Sequence, residues 1–142
     1  MATKAQPERA IGVVVATHGS LAQALAETCA FVMGAPAAVR ALGFREGADP
    51  REFARQLKAI LKKEDRGLGV LILVDLFGGT PGSTALSLVE PGRVEVITGA
   101  NLPMVVAAAG LPAGLTLEQA ARRVAAAGAA AITAAGQILA GA

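Results

Sequence analysis

The stretch IGVVVATHGSLAQAL, residues 11–25, contains the features on which the fold prediction depends. It opens with an almost continuous apolar run, IGVVVA at residues 11–16, which is rich in β-branched side chains. A second run of the same kind, GVLILV, lies at residues 69–74. Because both runs lack the polar alternation of a half-exposed strand, they are typical of strands buried on both faces of a parallel sheet. A pattern with helical spacing follows the first run, and this favours an α/β fold.

Two weaker strand candidates and several helix signals complete the pattern. The strands are AVRALGF at residues 38–44 and VEVIT at residues 94–98, which we place nearer the sheet edges. Helices are predicted to begin after Ser20, at Asp49, near Thr80 and Pro81, after Asn101 and at Thr116. Alternating strands and helices imply right-handed crossovers between parallel strands. The sequence therefore predicts a single-domain α/β protein with a mostly parallel, doubly wound sheet of about four strands flanked by helices.

Local signals describe three of these helices in more detail. In the first helix, which stops at Gly34, four residues recur at helical spacing: Leu21, Leu25, Thr28 and Val32. The second helix begins with Asp49 as N-cap and Pro50 at its first position, and Glu52 stands where it can close a capping box. The last helix opens with the pair Thr116 and Gln119.

Composition limits the class of protein. The chain has 142 residues, a net charge of +2 and 3% aromatic residues, which fits one domain and does not favour binding to nucleic acid. Cys29 is the only cysteine, so no intramolecular disulfide is possible and a reducing, cytoplasmic location is expected. One cysteine and one histidine also exclude the usual zinc clusters, and we expect no metal.

The ends of the chain set the expected domain boundaries. Residues 1–10 lack the apolar core of a secretory signal, and we interpret them as a flexible lead-in to a domain at residues 11–135, followed by a tail at residues 136–142. Two uncharged stretches, residues 96–117 and 124–142, are interrupted by glycine and proline or are rich in small residues. No direct membrane insertion is therefore predicted.

Three loops could carry chemistry, because ligands of open parallel sheets bind at the carboxyl ends of the strands. They are THGS at residues 17–20, DLFGGTPGST at residues 75–84 and GANLP at residues 99–103. If the first and third strands are neighbours, His18 and Asp75 converge. A neutral imidazole can then attack phosphorus through one nitrogen while the carboxylate accepts a hydrogen bond from the other.

The anion that forms in such a reaction would face backbone N–H groups at helix N-termini. The candidate phosphoryl-binding residues are Thr17, Gly19, Ser20, Gly78, Gly79 and Thr80, with Phe77 and Asn101 at the edge of the site. This arrangement needs no cofactor. Other interpretations stay open: His18 can be structural or simply exposed, and Asp75, Asn101 and the Gly-Gly-Thr-Pro turn can serve only as caps and connections.

At these motifs the chain resembles a known family. VVVATHGSLAQAL at residues 13–25, LILVDLFGGTPGSTA at residues 71–85 and VEVITGANLPMVV at residues 94–106 together resemble the mannose-class enzyme IIA domain of the bacterial phosphoenolpyruvate-dependent sugar phosphotransferase system. The likeness covers about residues 11 to 135. No single motif is specific, but their ordered set is.

The resemblance implies a phosphoryl carrier. It implies that His18 accepts a phosphoryl group from the phosphohistidine of the carrier protein HPr and passes it to a IIB protein, which phosphorylates a sugar during uptake. Asp75 matches the aspartate that orients the imidazole, and Gly78, Gly79 and Thr80 match the loop that holds the phosphoryl group. Because the chain ends soon after the IIA region, the IIB partner is expected on a separate polypeptide.

Two further implications concern the surface and the assembly. Gly82 and Ser83 stand where the family commonly has Phe-Asn, so an aromatic side chain of the docking surface is missing. The family fold also implies an additional antiparallel edge strand near the C-terminus, exchanged across a homodimer. In this chain such a strand would fall at residues 129–135.

Three functions are alternatives to a phosphoryl carrier that supplies a IIB protein. The chain also resembles the phosphoryl-donor subunit of a dihydroxyacetone kinase, which would receive phosphate from HPr but pass it to a kinase subunit. A regulatory phosphocarrier would use the same histidine without sugar transport. A flavodoxin-like module that binds a small ligand or nucleotide would use the glycine loops and leave His18 unmodified.

Overall fold

A computed structural model describes residues 9–141 of the chain. The strands are β1 (Gly12–His18), β2 (Arg40–Phe44), β3 (Val70–Val74) and β4 (Val94–Thr98). The helices are α1 (Leu21–Met33), α2 (Pro50–Glu64), α3 (Gly79–Ser87), α4 (Leu102–Ala109), α5 (Leu117–Ala130) and α6 (Ala135–Gly141). The predicted lead-in lies outside the described residues except for its last two, and the predicted tail coincides with most of α6.

The four strands form one parallel sheet in the order β2-β1-β3-β4. The two continuous apolar runs therefore occupy the centre, and the two weaker candidates form the edges, as predicted. The register pairs Ala16 of β1 with Val74 of β3. Asp75 and His18 follow within two residues of this pair, at the carboxyl edge of the sheet.

Helices cover both faces of the sheet, which is why the central strands have no polar face. On one face, α1, α4 and α5 pack against the side chains of alternate strand residues, including Val15 and Leu73. On the other face, α2 and α3 pack against the intervening residues, including Val14 and Ile72. Burial of each such side chain contributes roughly 1.5 to 3 kcal/mol. The predicted α/β architecture is confirmed.

The residues that recur at helical spacing in α1 are not its most buried ones, although Leu25 packs against the core. Ala22 and Cys29 are its fully buried residues, whereas Leu21 is 42% and Val32 56% exposed. α1 has apolar residues around more than one face, so periodicity alone does not select the buried one. At the start of the helix, the Thr17 hydroxyl accepts a hydrogen bond from the N–H of the buried Ala22.

Helix-start signals agree better with the structure. Asp49 caps α2 through the N–H of Arg51, but the carboxylate of Glu52 bonds to the side chains of Arg55 and Gln56 and no capping box forms there. The capping box at the start of α5 is present, with both of its hydrogen bonds.

Residues 129–135, where the family resemblance implied a strand, form the junction between two helices. Helix α5 ends at Ala130, residues 132–134 have no regular structure, and α6 begins at Ala135. In this single chain no strand forms at residues 129–135, and its exchange across a homodimer stays a prediction.

Within residues 9–141, no single helix is both long and apolar enough to cross a bilayer. Only α5 and α6 taken together reach that length and apolar character, and they are bent by 72° at their junction.

Candidate active site

His18 is the last residue of β1, and the turn that follows it is held by the neighbouring edge strand. The Gly19 N–H donates a hydrogen bond to the Phe44 carbonyl of β2 over 2.8 Å. The Gly19 carbonyl lies so close to Gly43 that a Cβ at position 43 would overlap it. Strand β2 therefore fixes the turn from the side, and a glycine at position 43 makes this approach possible.

Asp75 follows β3 and faces His18. One carboxylate oxygen, Oδ2, is 3.0 Å from His18 Nδ1 and also accepts the His18 backbone N–H over 3.1 Å. The other oxygen, Oδ1, accepts the Leu76 N–H over 3.0 Å. The Asp75 side chain is 13% exposed, whereas that of His18 is 41% exposed. A shielded carboxylate thus holds an accessible imidazole.

The hydrogen bonds to Asp75 favour its ionised form. Partial burial acts to raise the pKa of this carboxyl group, but the hydrogen bonds from the side chain and backbone of His18 and from Leu76 outweigh burial and lower the pKa. The ionised carboxylate is only an acceptor, so Nδ1 of the neutral imidazole must carry the proton. The lone pair of His18 is then on Nε2.

The N-terminus of α3 lies beside that nitrogen. A Cβ built on Gly79 would be 2.6 Å from both His18 Cε1 and Nε2, and Gly79 has a φ of +79°, in the left-handed region. Glycine is required at this position for both reasons. The first N–H groups of a helix have no partner within the helix, so the start of α3 presents donors next to Nε2.

Two predicted phosphoryl-binding residues have other roles in the structure. Thr17 is completely buried, and its hydroxyl bonds to the Ala22 N–H and the His18 carbonyl, so its observed contacts are structural and phosphoryl binding by it stays a prediction. The Gly19 N–H donates to the Phe44 carbonyl in this structure, and its expected role as an anion donor stays a prediction.

The remaining predicted residues lie around His18 or at the sheet edge. Ser20 is the N-cap residue of α1, and its side chain makes no capping bond. Gly78 is the N-cap residue of α3, and Thr80 is in the first turn of that helix. Phe77 is 73% exposed on the loop between Asp75 and α3. These four predictions of function are not tested by the geometry and stay predictions.

Asn101 caps a helix, as one interpretation of the sequence had it. Its Oδ1 accepts the Met104 N–H at the start of α4 over 3.0 Å, and its Nδ2 donates to the Gly128 carbonyl over 3.3 Å. The side chain therefore ties α4 to α5.

Sequence reasoning missed the contribution of Gly43. A single glycine inside a strand pattern is a known sign of close backbone approach, and this signal was present in the sequence. The sequence could not indicate that the approaching group is the carbonyl of Gly19.

The fold and the site together define a small parallel α/β domain with an accessible histidine that is oriented by an ionised carboxylate. The family model described as "PTS system fructose IIA component" matches residues 12–125. The chain belongs to this family, the IIA components of the fructose and mannose phosphotransferase systems. The resemblance noted in the sequence is therefore confirmed.

Individual relatives agree with this assignment to the family. The chain is 36% identical over 97 residues to the mannose-specific EIIAB component of Escherichia coli K12, a match that covers 68% of this chain and 30% of that protein. It is 31% identical over 109 residues to the fructose-specific EIIA component of Bacillus subtilis, covering 76% of this chain and 75% of the relative. The chain thus spans less than a third of the length of the first of these relatives.

A solved structure shows the same fold. The mannose/sorbose-specific IIA subunit from Enterococcus faecalis superposes with a TM-score of 0.79 at 25% identity. The superposition covers 87% of this chain and 93% of that subunit.

Proposed function

We propose that this protein is a phosphoryl carrier that accepts a phosphoryl group on Nε2 of His18 from the phosphohistidine of HPr and passes it to a IIB protein or domain. The observation that carries the proposal is that one ring nitrogen of His18 is hydrogen bonded to a carboxylate while the other is left available for reaction. Nδ1 is bonded to the Asp75 carboxylate, and Nε2 lies beside the N-terminus of α3 in a side chain that is 41% exposed.

The transfer conserves all atoms and electrons. The Nε2 lone pair of His18 forms a bond to phosphorus, and the bond between phosphorus and the donor histidine nitrogen breaks with its electron pair left on the donor. The His18 ring becomes cationic, because Nδ1 keeps its proton, and the Asp75 carboxylate stabilises this charge at 3.0 Å. Transfer to the acceptor reverses these changes.

Groups at the start of α3 hold the phosphoryl oxygens in this proposal. The N–H groups of Gly79 and Thr80 and the Thr80 hydroxyl serve as donors, and the absence of a side chain at Gly79 leaves room beside Nε2. The helix dipole adds a favourable contribution that falls off within the first turn.

An exposed apolar rim next to the site would contact the partner proteins. Leu76 is 59% and Phe77 73% exposed, and both lie on the loop that leads from Asp75 to α3. A Cβ at Gly82 would lie 2.6 Å from the Leu76 carbonyl oxygen and 2.8 Å from that of Phe77. The missing side chain at position 82 therefore lets this loop pack closely on α3, and Phe77 supplies the aromatic group of the rim.

The decisive experiment is phosphate transfer from phosphoenolpyruvate through enzyme I and HPr, followed by intact-mass spectrometry at alkaline pH. We expect one phosphate on the wild-type chain and none on His18→Ala, whose circular dichroism should match the wild type. Transfer onward to a IIB protein, compared with transfer to a dihydroxyacetone kinase subunit, identifies the acceptor. If an active HPr leaves the wild type unmodified, the carrier proposal fails and the ligand-binding alternative becomes the leading one.

We also propose that the protein works in the cytoplasm as a homodimer. Support for the dimer comes from exposed apolar side chains near the C-terminus, with Ile132 at 79%, Ile138 at 55% and Leu139 at 88% exposure. Sedimentation equilibrium of the wild type and of Leu139→Ser measures the association, and a wild type that remains a monomer at micromolar concentration contradicts this part of the proposal.

A further inference from the structure

Thr17 is the one polar or charged residue that is completely buried within residues 9–141. It directly precedes His18 in β1, and its side chain lies on the face of the sheet opposite to that of its neighbours along the strand. A buried hydroxyl costs free energy unless it is hydrogen bonded. Both of its bonds lead to the active-site turn.

The first bond starts α1. The Ala22 N–H donates to the Thr17 hydroxyl oxygen over 2.7 Å, and Ala22 is the second residue of the helix. This N–H is one that an N-cap side chain commonly accepts. The N-cap residue Ser20 makes no such bond, so Thr17 takes over the capping role from within the strand.

The second bond fixes the peptide that follows the histidine. The Thr17 hydroxyl donates to the His18 carbonyl over 3.1 Å, while the next N–H, that of Gly19, donates to Phe44. The peptide group between His18 and Gly19 is thereby held at its carbonyl and at its N–H, by two different elements. A peptide plane held at both ends has little freedom to rotate. Rotation of this plane would move the His18 Cα–Cβ bond, so the two hydrogen bonds keep that bond in place.

We infer that Thr17 is a positioning residue for phosphoryl transfer, whose buried hydroxyl orients the His18 peptide so that the ring reaches Asp75 and the start of α3 together. The inference rests on the proposed function of His18. The hydroxyl does not touch the phosphoryl group. It acts through the backbone of the nucleophile.

Two variants separate the hydroxyl from the packing of this side chain. Thr17→Val keeps the shape but removes the hydroxyl, leaving the Ala22 N–H and the His18 carbonyl without this partner. Thr17→Ser keeps both bonds and loses one methyl group. Val15→Ala, in the same strand and equally buried, serves as the control for a loss of stability that does not touch the turn.

The first readout is the rate of phosphorylation from phospho-HPr at saturating donor, well below the melting temperature of each variant. We expect Thr17→Val to be slower than the wild type by about tenfold or more, because a misplaced reacting group can cost up to about a hundredfold in rate. The rates of Thr17→Ser and Val15→Ala should stay within about threefold of the wild-type rate. Thr17→Ser keeps the hydroxyl, and Val15→Ala leaves the turn unchanged.

The second readout needs no partner protein. The ¹⁵N chemical shifts of the His18 ring at alkaline pH report how fully Nδ1 carries the proton, and we expect them to change in Thr17→Val but not in Thr17→Ser or Val15→Ala. Wild-type shifts and a wild-type rate in folded Thr17→Val would overturn the inference. If Thr17→Val does not fold, the test passes to Thr17→Ser, which keeps both hydrogen bonds. A folded Thr17→Ser with a phosphorylation rate as low as a tenth of wild type would then overturn the inference.

These outcomes are distinguishable from failure of the proposed function. A wild type that takes up no phosphate from active HPr contradicts the carrier function, whatever the variants do. The ring shifts still test whether Thr17 orients His18.

Discussion

Replacing Gly79 with alanine should disable the histidine without unfolding the protein. The new Cβ would lie 2.6 Å from His18 Cε1 and Nε2, whereas ordinary contact begins at 3.4 Å, so the ring or the α3 backbone must retreat by about 0.8 Å. The ring cannot retreat freely, because its Nδ1 is bonded to Asp75 at 3.0 Å. A misplacement of this size costs up to about a hundredfold in rate, and we expect a loss of that order.

Strain in the backbone has to be separated from crowding of the ring. Gly79 has a φ of +79°, and an alanine there costs about 1 to 2 kcal/mol of stability. Gly34, at the end of α1, has a φ of +69° with no atom within 4 Å of its added Cβ, so Gly34→Ala shares the strain and lacks the crowding. Both variants should lower the melting temperature by several degrees, at roughly 4 °C per kcal/mol.

The assay is the rate of His18 phosphorylation from phospho-HPr, followed by intact mass at alkaline pH for the wild type and both variants. We expect Gly34→Ala to keep the wild-type rate and Gly79→Ala to lose it, at similar thermal stability. A folded Gly79→Ala with the same rate as Gly34→Ala would refute the argument that the open space beside Nε2 is required.

Three further predictions concern the groups that hold His18. In Asp75→Asn, phosphorylation should slow by about a hundredfold or more while the fold persists. An amide can donate to Nδ1, and this favours the tautomer that carries the proton on Nε2. Near-normal transfer in this variant would remove Asp75 from the mechanism. Because the pKa of Asp75 is lowered in the folded state, its stabilising contribution is present above the usual aspartate value of 3.8 and is lost as pH falls below it. The free energies of unfolding of the wild type and Asp75→Asn, measured by chemical denaturation, should therefore converge toward acid pH. A difference between them that does not change with pH would contradict this. In Gly43→Ala, the added Cβ overlaps the Gly19 carbonyl and should displace the turn, which we expect to lower the phosphorylation rate about tenfold; an unchanged rate in the folded variant would show that β2 does not position His18.

Local sequence patterns predict the elements of this fold well. The continuous β-branched runs around Val14 and Ile72 identify the two central strands, because only strands covered on both faces can lack polar positions. Helix starts follow from capping chemistry, as at Asn101 and Thr116, since a cap depends on residues within one turn of each other.

The same patterns fail where more than one face or partner is available. The apolar residues of α1 extend around the helix, and tertiary packing against the sheet and α4 buries Ala22 rather than Val32. Glu52 had the spacing of a capping box but pairs with the nearby Arg55, which is an equally local alternative.

The chain by itself identified His18 and Asp75 as a candidate pair, because their motifs each end a buried apolar run and together resemble one family. Only the tertiary structure decided that these side chains, 57 residues apart, meet with Nδ1 at 3.0 Å from the carboxylate. It also decided that Gly79 lies against the ring and that the Thr17 hydroxyl is turned inward. Periodicity and capping record interactions within a few residues, whereas the order of strands in a sheet and the approach of its loops follow from burying both faces at once.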